Sequence, residues 1–120
     1  MREDFRPFAP VVLEEHYKDY FDTRGGPSPY MSRICKVKTD KVPGSTHVDN
    51  TARIQTINIK DNEKFYNIVN EFYKITGIPM LLNTSFNCQE PIVETPKHAI
   101  RTFKKTGLNL LIIEDWIIRK

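Results

Sequence analysis

Apolar residues recur along the chain with two different spacings, which predict a mixture of strands and helices. Runs rich in apolar and β-branched residues are typical of strands, and apolar residues at a spacing of three and four are typical of amphipathic helices. The predicted strands cover 8–13, 30–38, 52–60, 80–82, 108–114 and 116–119. The predicted helices cover 14–21, 61–76 and a segment that begins at Pro96, with Thr95 predicted as its cap. The alternation of strands and helices in the second half indicates βαβ units and a mixed sheet with flanking helices, that is, an α/β fold class.

Several residues predict where these elements begin, end and pack. Pro10 is expected to confine the first strand to an edge or to a first position, because proline cannot donate to a ladder. Asp61 is predicted to cap the second helix and Gly77 to end it. The 108–114 strand is expected to be buried. The buried stripe of the second helix is predicted to consist of Phe65, Ile68, Val69, Phe72 and Tyr73.

Composition narrows the class of protein. A chain of 120 residues with 39% hydrophobic and 28% charged residues is typical of one globular domain or a piece of one. A net charge of +3 suits a small anionic ligand and is too weak to indicate nucleic acid. Cys35 and Cys88 lie in no metal or disulfide pattern, so we expect reduced thiols, no metal site and a cytoplasmic location. No apolar segment has membrane-spanning length, so no membrane partner is expected.

Arg6 is the first candidate for chemistry. It lies between Phe5 and Pro7, so its stem is expected to pack while its guanidinium, a planar fork of donors, suits a phosphate group. The alternative is a structural arginine paired with Glu3 or Asp4, and spacing alone favours that alternative.

A second polar cluster begins the 52–60 strand. Thr51, Arg53 and Gln55 alternate and are expected to share one face, where they could contact a phosphate or an adenylate, or simply face solvent. His47 and Asp49 could point the same way as a metal pair or an acid/base pair. Loop residues that bond their own backbone are the simpler interpretation of those two side chains.

A third cluster follows the 80–82 strand. Asn83, Ser85 and Asn87 are expected on one side of the chain, at the kind of sheet edge where α/β folds bind ligands. No recognised motif activates Ser85 as a nucleophile, so it is interpreted as a hydrogen-bond donor. The alternative is a polar turn that bonds its own backbone. The chain has no Gly-rich nucleotide motif, so any phosphate would bind through arginine, hydroxyls and loop amides.

Taken in series, these segments resemble the C-terminal domain of the NodU/CmcH carbamoyltransferases. The resemblance runs in order along nearly the whole chain. The motifs that carry it are Arg2–Pro10, Tyr30–Met31, His47–Thr56, Thr76–Asn87 and Glu90–Pro96.

The resemblance implies a function that composition and spacing do not give. It implies that residues 1–120 are part of the C-terminal, YrdC-like domain of an O-carbamoyltransferase, which makes carbamoyl-adenylate from carbamoyl phosphate and ATP, with Mg²⁺ accompanying the ATP. It also implies a partner, an actin-like N-terminal domain that holds Fe²⁺ or a similar metal and transfers the carbamoyl group to a hydroxyl acceptor. By motif position, Arg6, Arg53 and Ser85 are the implied catalytic residues. They are also the implied nucleotide-binding residues, together with Asn87 and Thr51.

Three features qualify what the resemblance implies. It places a further site Lys six residues before Arg6, upstream of Met1, so we expect this segment to be inactive alone. Asn50 stands where the family often has Gly, and the run from Asn87 to Glu90 is one residue shorter than usual, with no Gly before Glu90.

The competing interpretation is a non-catalytic nucleotide- or RNA-binding YrdC-like module, suggested by the lysines at 36, 38 and 41. No aromatic residues interleave with those lysines, so nucleic acid is not the expected partner.

Overall fold

A computed structural model describes residues 8–120, which fall into two compact units. The first, here called the sheet unit, ends at Thr84, and the second, the hairpin unit, covers Ser85–Lys120. Arg6, the first candidate phosphate contact, lies outside the described residues. The prediction of one YrdC-like domain over 1–120 stays a prediction.

The sheet unit contains a five-stranded mixed sheet in the order β2-β3-β4-β1-β5. Only β1 and β4 run parallel, and the other neighbours are antiparallel. The strands are β1 Ala9–Leu13, β2 Phe21–Asp22, β3 Arg33–Val37, β4 Thr51–Ile57 and β5 Met80–Asn83. The helices of this unit are α1 Tyr17–Tyr20, α2 Glu63–Thr76 and a 3-10 turn at Pro43–Ser45. The predicted mixed α/β fold class is therefore confirmed.

The sheet carries apolar residues on both faces. Val12 and Ile54 belong to one buried cluster, whereas Val11 and Ile57 belong to a second cluster that includes Val69 of α2. Successive side chains of a strand point to opposite faces, so consecutive buried residues require two covered faces. Apolar packing therefore covers both faces of this sheet.

The expected edge position of β1 is wrong. β1 lies between β4 and β5, and Pro10 is its second residue. The ladder with β4 begins only at Val11, and on the other side Pro10 faces Leu82 of β5. Pro10 is tolerated because its missing N–H falls before the β4 ladder starts.

The helix predicted over 14–21 is shorter than expected. Its helical part is Tyr17–Tyr20, and Phe21 already belongs to β2.

The cap of α2 is Asn62 rather than Asp61, because the Asn62 side chain accepts the hydrogen bond from the Phe65 N–H. Gly77 ends α2 in the left-handed conformation, as predicted.

The predicted stripe of α2 is only partly buried. Val69 is fully buried, whereas Ile68 is 57% exposed and Phe72 37% exposed.

The expected parallel crossover through α2 is also wrong. β1 runs parallel to β4 and antiparallel to β5, so the two strands that α2 connects run in opposite directions.

The hairpin unit consists of helix α3 (Pro96–Lys105) and a two-stranded antiparallel hairpin of β6 (Leu110–Ile113) and β7 (Trp116–Arg119). Thr95 caps α3 by accepting a hydrogen bond from the His98 N–H, as predicted. The expected burial of β6 is wrong, because Leu110 and Ile112 are 46% and 59% exposed. A hairpin that pairs only with itself keeps one face without a covering layer.

None of the helices in the described part of the chain combines the length and the apolar character needed to cross a bilayer.

Candidate functional site

The sheet unit has a polar face at the start of β4. Thr51, Arg53 and Gln55 alternate with buried Ala52 and Ile54, so the three polar side chains share one face, as predicted. The same face becomes apolar further along, where Leu13 and Ile57 pack against α2. Helix α2 therefore covers one end of this face, and the end that carries Arg53 is exposed.

An amide bridge ties this face together. Gln55 and Asn83 lie on strands that flank β1, and the Asn83 Nδ2 donates to Gln55 Oε1 over 2.7 Å. The Gln55 Nε2 in turn donates to the carbonyl of Pro29 over 3.3 Å. That loop is fixed to β4, since the Thr56 N–H donates to the Ser28 carbonyl over 3.0 Å and the Ser28 N–H donates to Thr56 Oγ1 over 2.9 Å. Gln55 and Asn83 thus brace three segments of backbone.

Arg53 is different from its polar neighbours. Among the residues that the structure describes, none accepts a hydrogen bond from its guanidinium or forms an ion pair with it. Its neighbour on β3 is the exposed Ile34, which supplies no acceptor. The five donors of the guanidinium are therefore available to an anion from solution.

His47, Asp49 and Thr51 form one hydrogen-bonded group. The Thr51 hydroxyl donates to Asp49 Oδ1 over 2.6 Å and lies 3.1 Å from His47 Nδ1. The bond from Thr51 is the chief cause that lowers the pKa of Asp49, so the carboxylate stays ionised and keeps accepting. Asp49 Oδ1 also accepts a hydrogen bond from the Thr51 backbone N–H over 3.1 Å. His47 and Asp49 thus both contact Thr51, and the simpler interpretation, loop residues that bond their own backbone, agrees with the bond from the Thr51 N–H.

The turn that precedes β4 contains a residue with a positive φ, Asn50. Asn50 has φ +63°, in the left-handed region that favours glycine. Asn tolerates this region better than most residues, and here its Nδ2 also donates to the Val37 carbonyl over 3.1 Å. Asn50 can therefore replace a glycine and keep the turn.

In the hairpin unit, Ser85 belongs to a chain of side-chain hydrogen bonds. Its hydroxyl donates to Asn87 Oδ1 over 2.9 Å, and the Asn87 Nδ2 donates to the Glu90 carbonyl over 2.8 Å. The Val93 N–H closes the loop by donating to the Phe86 carbonyl over 3.0 Å. The expectation that Ser85 is a hydrogen-bond donor agrees with this geometry, and so does a polar turn that bonds its own backbone.

The carboxylate of Glu90 anchors that chain to α3. Its two oxygens lie 2.8 Å from Lys105 Nζ, 3.2 Å from His98 Nε2 and 3.2 Å from Arg101 Nη2. The hydrogen bond from Lys105, followed by that from His98, lowers the pKa of Glu90 to about 2. The Ser85 hydroxyl is thus held, through Asn87, by a residue that is clamped to a helix.

Helix α3 carries more positive charge than Glu90 can balance. Its sequence contains three lysines, an arginine and a histidine. Several of these basic side chains line a surface depression, and their positive charge suits a negatively charged molecule. This depression is lined by Thr95, Lys97, His98, Ile100, Arg101 and Lys104.

The structure relates some predicted site residues to one another. Thr51 and Arg53 share a sheet face in one unit, and Ser85 bonds Asn87 in the other. The roles of Thr51, Arg53, Ser85 and Asn87 in binding and catalysis stay predictions. In the described part of the chain, no group of three or more His, Cys, Asp or Glu side chains offers a metal site.

Sequence reasoning missed two features of these sites. The Gln55–Asn83 bridge had no local signal, because it joins residues 28 positions apart across an intervening strand. The Glu90 clamp did have a local signal in the sequence. His98, Arg101 and Lys105 follow one another at i, i+3 and i+7 and thus share a helix face. A basic face of that kind predicts an acidic partner.

Comparisons with known sequences agree with the motif series. The family model described as carbamoyltransferase C-terminus matches residues 1–120. Nodulation protein NolO of Bradyrhizobium diazoefficiens is 43% identical over 125 residues, covering 99% of this chain and 23% of NolO. An uncharacterized protein of Methanocaldococcus jannaschii is 42% identical over 123 residues, covering 99% of the chain and 24% of that protein. Nodulation protein U of Sinorhizobium fredii is 45% identical over 89 residues, covering 72% of the chain and 16% of that protein. The chain thus spans less than a quarter of the length of these relatives.

Proposed function

The chain belongs to the carbamoyltransferase C-terminal family, and on that premise we propose that it helps to form carbamoyl-adenylate from carbamoyl phosphate and ATP. The observation that carries this proposal is the Arg53 guanidinium, exposed on a braced polar face and without a partner among the described residues. A cation presented in this way suits the phosphoryl oxygens of a nucleotide.

The proposed reaction balances as two steps. Water and carbamoyl phosphate give carbamate and phosphate. A carbamate oxygen then bonds to the α-phosphorus of ATP, the bond from that phosphorus to the bridging oxygen breaks, and pyrophosphate leaves with the electron pair. Such transfers depend on positioning and on positive charge at the phosphoryl oxygens rather than on covalent chemistry by the protein.

Arg53 would stabilise the charge that develops at the α-phosphate. Its planar fork can donate two parallel hydrogen bonds to phosphate oxygens, which fixes the direction of the group as well as its charge. The strand that carries Arg53 is paired on both sides, and the Gln55–Asn83 bridge braces the same face. This support would keep the guanidinium in place while the substrate reacts.

Ser85 would contribute a charge-assisted hydrogen bond. Its hydroxyl now donates to the neutral Asn87 side chain, a type of bond with a net value of about 0.5–1.5 kcal/mol. A bond to a phosphate oxygen is roughly twice as strong, so rotation of the hydroxyl toward substrate would be favourable. Asn87 would then act as the partner that holds Ser85 ready.

The proposal includes the rest of the family chemistry. Magnesium would enter as Mg–ATP, held by phosphate oxygens, and the acceptor hydroxyl and the Fe²⁺-type metal would belong to a separate N-terminal domain. Arg6, with the Lys implied upstream, would supply the remaining positive charge. We also propose a cytoplasmic location, which the free thiols of Cys35 and Cys88 support.

A pyrophosphate assay tests this function. The protein to use is this chain extended upstream to include the implied Lys, hereafter the extended domain. We expect pyrophosphate release that requires both ATP and carbamoyl phosphate, with carbamoyl-adenylate detected by mass spectrometry. Absence of release under these conditions, with the extended domain folded by circular dichroism, would overturn the proposal.

The RNA-binding alternative has less support. Of the three lysines that suggested it, Lys38 is already engaged, because its Nζ donates to the Lys18 carbonyl over 2.8 Å. A salt-dependent gel shift with structured RNA, together with no pyrophosphate release, would favour that alternative.

A further inference from the structure

The open edge of the five-stranded sheet is an unusual surface. β5 is an edge strand of this sheet, and β1 is its neighbour. The Leu13 N–H donates to the Pro79 carbonyl over 3.0 Å, so Leu13 and Pro79 form a hydrogen-bonded pair. Bonded pairs alternate with non-bonded pairs in an antiparallel ladder. Leu81 therefore bonds β1, whereas the N–H and C=O groups of Met80 and Leu82 point outward.

Within the described part of the chain, no other strand meets those outward groups. Pro10 faces Leu82 across the ladder and has no N–H, so the Leu82 carbonyl receives no hydrogen bond from it. The edge thus offers two donors and two acceptors to an added strand.

The surroundings of this edge are largely apolar, and Lys41 is the charged residue among them. A groove runs along it, with Phe72 of α2 on one side and the Pro43–Ser45 turn on the other. Leu82, in the floor of the groove, is 56% exposed. Natural edge strands are usually protected by charged residues, proline or a bulge, and Met80–Leu82 carries no charge and no proline. An edge of this kind is normally covered in the complete protein.

We propose that this β5 edge receives an extended apolar segment from the part of the carbamoyltransferase polypeptide that lies outside this chain. The relatives indicate the source, since 76% or more of the length of NolO and the other relatives described above lies outside the match. An added strand satisfies the backbone groups of Met80 and Leu82, and its alternate side chains fill the groove beside Phe72. This inference depends on family membership and not on the proposed chemistry.

Hydrogen exchange of single amides tests the proposal. The two samples are the chain alone and a NolO chimera in which this chain replaces the matching segment. The amides of Met80 and Leu82 should exchange at least about tenfold more slowly in the chimera, because each gains a hydrogen-bond acceptor. The Leu81 and Asn83 amides, which bond β1, serve as internal controls and should be protected in both samples.

Two substitutions separate strand addition from other effects. Leu82→Pro removes an outward N–H that β1 does not use, and Leu82→Lys places a charge in the groove. Both should abolish the slowing at Met80 in the chimera. The control Ile59→Lys, at a residue with a similar exposure of 50%, should preserve it. Each variant is checked for folding by the protection of Leu81.

Two results would overturn the proposal. One is equal exchange of Met80 and Leu82 in the chain alone and in the chimera. The other is slow exchange in the chain alone that rises with protein concentration, which would assign the edge to a second copy. If the Leu81 amide is unprotected in the chimera, the chimera is not folded. Hydrogen exchange is then measured on unmodified NolO, at the residues aligned with Met80 and Leu82. Fast exchange at both would then contradict strand addition.

Discussion

The two units hold their polar side chains by different means. In the sheet unit, Arg53 and Gln55 lie on a strand paired on both sides, and a bond between two neutral amides braces their face. In the hairpin unit, Ser85 is held through a loop whose anchor, Glu90, bonds the cations Arg101 and Lys105 and the His98 ring. Two buried clusters support the first arrangement, whereas the buried residues of the hairpin unit are Ala99, Thr102 and Phe103.

This difference has consequences for how each unit responds to its surroundings. Ladder hydrogen bonds, apolar packing and bonds between neutral amides change little with pH or salt, so the Gln55–Asn83 bridge should be insensitive to both. Ion pairs near the surface are screened by salt and lose their charge at low pH. The Ser85 loop should therefore respond to solution conditions more strongly than the Gln55–Asn83 bridge does.

Removal of the Glu90 anchor should have a large effect on the rate. In Glu90→Ala, the Ser85 loop loses its tie to α3, and misplacement of a positioned group can lower a rate by about 10- to 100-fold. Pyrophosphate release by the extended domain should fall by that amount, while the KM for ATP changes little because Arg53 is untouched. Glu94→Ala, at an exposed glutamate of the same segment, is the control. An equal loss in both variants would contradict the role of Glu90.

The amide bridge should matter chiefly for stability. Gln55→Leu leaves the half-buried Asn83 amide without its acceptor, which should lower the free energy of unfolding by about 1–2 kcal/mol in urea denaturation. Gln55→Glu keeps an acceptor for Asn83 and should cost less. If both variants cost the same, the bond from Gln55 to Pro29 would account for the effect instead.

Two of the four non-glycine residues with a positive φ, Gln89 and Asn50, offer a comparison of opposite sign. Gln89 has φ +55°, a conformation that glycine adopts without strain, so Gln89→Gly should raise the free energy of unfolding by about 0.5–1 kcal/mol. Asn50→Gly should instead lower it by up to about 1 kcal/mol, because the bond to Val37 is lost. Thermal unfolding of both variants provides the measurement. A gain in both would mean that the Asn50 side chain contributes nothing.

The pH dependence of the Glu90 anchor should be the smallest effect, since this carboxylate is partly exposed and screened. Its folded pKa of about 2 lies below the unfolded value of about 4.3. The stabilisation is therefore complete above pH 5 or so and is lost as the pH falls toward 2. The stability difference between the wild type and Glu90→Gln should shrink over that range. A midpoint near 4 for the Glu90 carboxyl, measured by NMR titration, would be inconsistent with the clamp.

Local signals were sufficient to predict much of the fold. Thr95 and Gly77 bound their helices because a cap depends on a few adjacent residues. The alternation of Thr51, Arg53 and Gln55 predicted a shared face because strands alternate whatever their neighbours are. The cap of α2 was misplaced by one residue, since Asp61 and Asn62 are equally good caps in sequence and only the geometry selects Asn62.

Features that depend on distant residues were not predictable. Leu110 and Ile112 have the composition of a buried strand, but β6 pairs with β7 alone, so their exposure follows from topology. The central position of β1 likewise depends on where β4 and β5 pair with it. The residues implied to bind nucleotide came from the resemblance, because no spacing distinguishes the exposed Arg53 from the exposed Arg33 on the neighbouring strand.

That pair of arginines also gives the most direct test of the central claim. Arg33 lies opposite Ile54 on β3 and therefore on the other face of the sheet from Arg53. In the extended domain, Arg53→Ala should reduce pyrophosphate release by about 100-fold or more, the cost of losing a group that stabilises transition-state charge. Arg33→Ala should leave the rate within about twofold, as for a surface residue remote from the reaction. Equal rates in the two variants would contradict the assignment of the phosphate-binding role to Arg53.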